Sequence, residues 1–183
     1  MQRSALDKVI SLTGFILAVV LLALAGVLSW GHDFIHDQVS EQLSAQKIEF
    51  PAADSEALNA LPADDKAAVS TYAGEKVTTG AQAEVFANHY INAHLQNIGG
   101  GFTYSELSAQ SMANPTDQVL AGKVQTVFRG ETLRGLLLNA YAFDTMANVA
   151  RVAALGSAVA GAVLMVLAGA GFYHAGRASS RRK

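Results

Sequence analysis

VISLTGFILAVVLLALAGVLSW, residues 9–30, holds no Asp, Glu, Lys, Arg or His in 22 positions, and VAALGSAVAGAVLMVLAGAGFY, residues 152–173, repeats the property over another 22. At about 1.5 Å rise per residue, each run forms a helix of about 33 Å, against a hydrocarbon core of about 30 Å. A surface helix of a soluble protein carries charged side chains on its outer face, and neither run has any. Two transmembrane helices are predicted. The overall composition agrees, with 51% hydrophobic and 15% charged residues in a chain of 183.

The first run also has features of a cleaved signal peptide: Arg3 and Lys8 precede it, and Ala23-Leu24-Ala25 has the small-x-small form of a cleavage site. Its apolar stretch is longer than the roughly 7–15 residues of a signal core, however, and continues past that site through Val27, Leu28 and Trp30. An uncleaved anchor is the expectation.

Charge sets the orientation. Outside the two runs, the chain ends carry Arg3, Lys8, Arg177, Arg181, Arg182 and Lys183 against Asp7, net +5, while residues 31–151 hold the other seven basic and fourteen acidic residues, net −7. Basic flanks stay in the cytoplasm, so both termini are expected inside and the central segment outside. The predicted organisation is a cytoplasmic N-terminus at 1–8, spans at 9–30 and 152–173, an extracytoplasmic domain at 31–151 and a basic cytoplasmic tail at 174–183, multi-pass in the plasma membrane. An acidic exported domain argues against a nucleic-acid partner. The absence of cysteine removes disulfides, zinc-thiolate and iron–sulfur sites and a thiol nucleophile.

Between the spans the pattern is helical throughout. Ile35, Val39 and Leu43 recur on one face beyond Trp30, which predicts that the first helix continues past the membrane and ends before Pro51. Residues 51–66 read as a loop with one or two helical turns, anchored by Leu58 and Leu61. A helix is expected over 63–72 with Gly74 as terminator, and a longer one over 81–97 with Thr79 as N-cap and Val85, Phe86, Tyr90, Leu95 and Ile98 for a core. Gly99-Gly100-Gly101 ends it and reads as a linker. Thr103 and Glu106 have capping-box spacing, opening a helix to about Ala113. Asn114-Pro115 reads as the cap and first residue of the next helix, and from Glu131 onward the pattern runs into the second span without a breaker. The fold class is all-α: two transmembrane helices flanking a small extracytoplasmic helical domain.

Three groups of residues invite a functional reading. Gly14, Ala18 and Gly26, with Ser157, Gly161 and Gly169, lie at multiples of four and place small side chains along one stripe of each span. Such stripes serve packing of the two spans on each other or contact with another protein's helices. His32 and His36 share a helix face and are the candidate metal ligands, but no third ligand accompanies them, and the reading carried forward is polar residues at a membrane boundary. Leu136, Leu137 and Leu138 are consecutive, so a helix points them in directions about 100° apart, and a small domain does not easily cover all three. They are candidate partner contacts together with Ser157, Gly161 and Gly169, against the reading that the first helix extension and the 81–97 helix enclose them as core. Glu131 and Arg134 form an ordinary (i, i+3) pair.

No nucleophile elbow, phosphate loop or dinucleotide fingerprint is present, and neither span contains the ionisable residue that pumps and transporters need. No cofactor is implied. The strings YAG (72–74), TTGAQA (78–83), NPTD (114–117) and VQTVFRGETLRGLLLNAY (124–141) resemble a family of small two-span membrane proteins of high-GC Gram-positive, actinobacterial bacteria. That resemblance implies architecture and location and supplies no catalytic residue. Some members carry an aromatic ring-opening dioxygenase label, although a non-haem iron site needs two histidines and a carboxylate clustered in a pocket, and here the histidines lie in separate segments. The chain is also similar to accessory subunits of actinobacterial respiratory supercomplexes. The function expected is a non-enzymatic scaffold or accessory subunit that associates, within the lipid bilayer, with other envelope membrane proteins. The alternative is a membrane-anchored extracytoplasmic metal-binding or enzymatic module.

Overall fold

The computed structural model describes residues 3–180, with side chains over 5–177. Arg181, Arg182 and Lys183 of the basic tail lie outside the described residues, as does the side chain of Arg3. Among the described residues seven α-helices follow in order: α1 (Arg3–Gln46), α2 (Glu56–Asn59), α3 (Ala63–Ser70), α4 (Gly80–Val85), α5 (Asn92–Gly99), α6 (Tyr104–Ala113) and α7 (Gln118–Ser180), with a π-helical turn at Phe86–Ile91 joining α4 to α5. The only β pairing among the described residues is an isolated antiparallel bridge, Glu49 with Lys76. The chain is all-helical, and α1 and α7, 44 and 63 residues long, are apolar and long enough to cross a membrane.

Two compact units divide the chain, one made of the outer parts of α1 and α7, up to Phe34 and from Met146, the other of Ile35–Thr145. In the first unit α1 and α7 run antiparallel in close contact. A Cβ placed on Gly14 would lie 3.8 Å from Ala168 Cβ, and one on Gly161 would lie 2.9 Å from Leu22 Cγ and 3.1 Å from the Ala18 carbonyl oxygen. The buried positions are Ser11, Ala18 and Ala25 on α1, and Ala147, Ala154, Gly161, Ala168 and Ala175 on α7. Both series have a period of seven, the repeat of helices wound in a left-handed supercoil. The stripe at multiples of four is therefore corrected: Ala18, Gly14 and Gly161 sit at the contact, while Gly26 and Gly169 have no atom within 4 Å of a Cβ position. A four-residue stripe suits a steep right-handed crossing, whereas a shallow antiparallel crossing keeps every seventh residue in the seam.

The second unit packs around the apolar face of α1 from Ile35 onward. Val39 and Leu43 are buried there with Phe50, Leu58, Leu61, Val69, Val77, Phe86, Ile91, Leu95 and Leu137. α1 stops at Gln46 because Lys47 takes a left-handed conformation (φ 54°), and the chain then crosses back as the strand-like segment that pairs Glu49 with Lys76. Leu58 and Leu61 pin the following loop, and the turn after α3 closes at Gly74 with φ 74°. Phe50 is the hub of an aromatic cluster, 5.4 Å from the Tyr72 ring and 5.2 Å edge-on to Phe86, which in turn lies 4.8 Å from Tyr90. Such pairs contribute about 0.5–1.5 kcal/mol each beyond burial.

Local chemistry sets most helix starts. Thr79 and Thr103 accept hydrogen bonds from the Gln82 and Glu106 amides, whose side chains accept in turn from the threonine amides, two full capping boxes. At the next boundary the expectation is corrected. Asn114 ends α6, its side chain donating back to the Gln110 carbonyl, and Asp117 caps α7 by accepting from the Leu120 amide. The helix read at 81–97 is also interrupted by its π turn, and Ile98, expected in the core, is 37% exposed.

Candidate functional site

His32 and His36 each direct Nδ1 at a group on α7. In the first unit His32 donates from Nδ1 to the Ala147 carbonyl oxygen at 2.9 Å; since a carbonyl only accepts, the proton sits on Nδ1. In the second unit His36 Nδ1 lies 2.9 Å from Asp144 Oδ1. The Asp144 side chain is 10% exposed and that of His36 45%. The backbone of α4 makes room for this carboxylate. Gly80, the residue after the Thr79 cap, lies so close to Asp144 that an added Cβ would stand 2.8 Å from Oδ2 and press on the aspartate Cβ as well. Asp144, His36 and Gly80 thus bring α7, α1 and the start of α4 to one point. Among the described residues no group of three or more His, Cys, Asp or Glu side chains is placed to hold a metal ion. The geometry gives both histidines a cross-linking task between α1 and α7.

A second polar centre surrounds the π turn. His89 Nδ1 lies 2.8 Å from Asp65 Oδ1, which ties the turn to α3. On its other side Asn88 donates to Glu84 at 2.7 Å and accepts from Arg134 of α7 at 3.2 Å, and Arg134 also donates to Glu131 at 3.2 Å. The Glu131–Arg134 pair read from sequence is therefore one edge of a network joining α4, the π turn and α7. Sequence reasoning found neither histidine–aspartate partner. His36 and Asp144 are 108 residues apart and His89 and Asp65 are 24 apart, and no local pattern links them.

Two of the strings singled out in the sequence fall at tight structural positions. In TTGAQA, Gln82 is buried and its Oε1 accepts from the Thr78 and Thr79 amides and the Thr78 hydroxyl, while Nε2 donates to Glu75. In VQTVFRGETLRGLLLNAY, Gly130 lies against Leu95, where a Cβ would come within 3.1 Å of Leu95 Cδ1. These contacts give the two strings a part in shaping the fold.

The partner-contact candidates separate sharply. Leu137 is 1% exposed and belongs to the core, Leu138 packs partly buried against it, and Leu136 is 58% exposed. On α7, Phe128 and Phe143 are 47% and 55% exposed at positions two turns either side of Leu136, so the three share one helix face. In the first unit Gly161 is buried between the helices, Ser157 is half-buried and Gly169 is exposed. Leu137 and Gly161 are thereby occupied within the chain.

The fold and this site define an all-helical chain with two membrane-length apolar helices. Comparison with protein-family models, with curated proteins and with solved structures finds no match.

Proposed function

We propose that this chain is an integral membrane protein of the plasma membrane, with both termini cytoplasmic and residues 31–151 outside, acting as a non-enzymatic scaffold or accessory subunit for other envelope membrane proteins. The observation that carries the membrane reading is the exposed apolar sheath of the two helices. Only 17% of the most apolar window of either helix is buried. Twelve large apolar side chains of residues 9–30 and eight of residues 152–173, from Val9 (62%) to Tyr173 (65%), face outward. At about 1 kcal/mol for each half-covered side chain, leaving this sheath in water costs on the order of 20 kcal/mol, more than the typical net stability of a domain, about 5–15 kcal/mol. Lipid removes that cost. Trp30, 67% exposed and stacked on Phe34 at 5.6 Å, and Tyr173, with the Arg177 guanidinium 5.3 Å from its ring, mark the two interfaces as aromatic belts do.

The accessory role is supported by the exposed face of Phe128, Leu136 and Phe143, which remains available to a partner. The topology is tested with single cysteines in the natural cysteine-free background. Ser70→Cys is expected to react with a membrane-impermeant thiol reagent in intact cells and Ser180→Cys to stay protected, and labelling of Ser180→Cys alone would reverse the orientation. Gentle-detergent affinity purification with mass spectrometry tests the accessory role. A stoichiometric membrane-protein partner, lost with Leu136→Glu at equal folded levels, supports it, and purification of the chain alone refutes it.

A further inference from the structure

A groove of about 370 Å³ opens between α1 and α7 in the first unit, lined along its length by Ile10, Gly14, Leu167 and Gly171. Its polar lining is Asp7, Ser11 and His174. Gly14 and Gly171 leave bare backbone on the groove walls, and a Cβ at Gly171 would run into the Ser11 hydroxyl, so the floor has no room for a larger residue. Ile10 and Leu167, each 61% exposed, form its rims. The volume falls in the range of small-ligand pockets, about 300–1,000 Å³.

The polar lining sits at one end. Ser11 is buried on the floor against Gly171, and in an antiparallel pair the next turn outward on each helix brings Asp7 and His174 to that same end. Asp7 is the one carboxylate of the lining among the described residues, and it is half-buried between the exposed Leu6 and Lys8. Among the described residues no hydrogen-bond donor reaches it. A carboxylate only accepts hydrogen bonds, and it does so most strongly from a positively charged N–H donor. An occupant matched to this layout has a hydrocarbon tail for the apolar length and a cationic N–H head for Asp7. The chain ends carry net +5, which repels a lipid of net positive charge, so that head carries a compensating phosphate.

We infer that the groove binds one acyl chain of a zwitterionic aminophospholipid, phosphatidylethanolamine in type, whose primary ammonium donates to the Asp7 carboxylate while its phosphate accepts from the His174 ring; the inference rests on the membrane reading above. A primary ammonium brings three N–H donors together with its charge. The choline head of phosphatidylcholine has the charge without the donors, and the glycerol head of phosphatidylglycerol has hydroxyl donors without the charge. Those two lipids are the controls that isolate what Asp7 recognises.

The experiment has two stages. Alkaline carbonate extraction of native membranes first separates the two readings: release of the full chain into the supernatant refutes the membrane assignment and this site with it. For the retained protein, delipidated in detergent, native mass spectrometry follows titration with phosphatidylethanolamine, phosphatidylcholine or phosphatidylglycerol of identical acyl chains. One phosphatidylethanolamine is expected to remain bound, about ten-fold more tightly than either control, the scale of one charge-assisted hydrogen bond. Asp7→Asn is expected to erase that preference. Ile10→Trp and Leu167→Trp, which fill the groove from its exposed rims, are expected to abolish retention, and Val20→Trp, at a 56% exposed position outside the groove lining, to keep it. Equal retention of phosphatidylethanolamine and phosphatidylcholine, or a preference for phosphatidylglycerol, would overturn the assignment. So would a preference that survives Asp7→Asn, undiminished retention in both rim variants, or equal loss in Val20→Trp.

Discussion

Leu137→Ala and Leu136→Ala are the same chemical change on adjacent residues of one helix, and they should differ several-fold in cost. Leu137 is 1% exposed within the cluster that includes Val39, Leu43, Phe86 and Leu95, so truncation loses the transfer energy of the side chain and leaves a cavity, about 2–5 kcal/mol. Leu136 is 58% exposed, so about two-fifths of its burial energy is at stake, about 0.6–1.3 kcal/mol from a full value of about 1.5–3. No cavity forms there. The full-length protein in detergent, titrated with urea and followed by near-ultraviolet circular dichroism of the Phe50, Tyr72, Phe86 and Tyr90 cluster, reports the second unit directly. Trp30 lies in the other unit and serves as the internal reference. Equal destabilisation by the two substitutions, or a larger loss from Leu136→Ala, would show that the assignment of core and exposed faces on α7 is wrong.

Three further outcomes follow from the same geometry. The 3.8 Å between a Gly14 Cβ and Ala168 Cβ matches the usual disulfide spacing, so Gly14→Cys with Ala168→Cys should cross-link on mild oxidation, read as a mobility shift, while Gly26→Cys with Ala168→Cys should not. Gly161→Leu should destabilise the helix pair by about 1–3 kcal/mol through overpacking against Leu22 and the Ala18 carbonyl, whereas Gly169→Leu, with open space around it, should be near neutral in the same thermal unfolding assay. The Thr103 backbone amide, and secondarily its hydroxyl, holds the Glu106 carboxyl below its ordinary pKa. The folded value is the depressed one, so the cap contributes above the unfolded pKa and fades as pH falls through the folded one. Amide exchange in α6 should rise in that acid window; Glu106→Gln should remove the dependence, whereas Thr103→Ala, which keeps the backbone amide, should only weaken it.

Much of this protein is written in local sequence. The two membrane-length apolar helices follow from the absence of charge over 22 residues, a property that needs no partner to be read. The capping boxes at Thr79 and Thr103 follow from side chains that bond three residues away, and the anchors Leu58 and Leu61 stand out because their loop offers no other large apolar residue. The start of α7 was less legible: Asn114-Pro115 and Asp117 both carry cap chemistry, and the choice between them turned on Asn114 folding back to Gln110.

What only the tertiary structure decided is which face of each helix meets what. The two long apolar helices had small residues on several faces, and the antiparallel crossing of α1 on α7 selected the seven-residue seam through Ala18, Gly161 and Ala168 over the four-residue stripe through Gly26 and Gly169. Three consecutive leucines are equivalent to any local window, and the core took Leu137 into the cluster that also holds Val39 and Leu43, of a helix nearly a hundred residues earlier. The pairing of His36 with Asp144 and of His89 with Asp65 belongs to the same class. Hydrogen bonds between distant segments depend on how helices are brought together, and that placement is set by the summed packing of many apolar contacts, which no single stretch of chain contains.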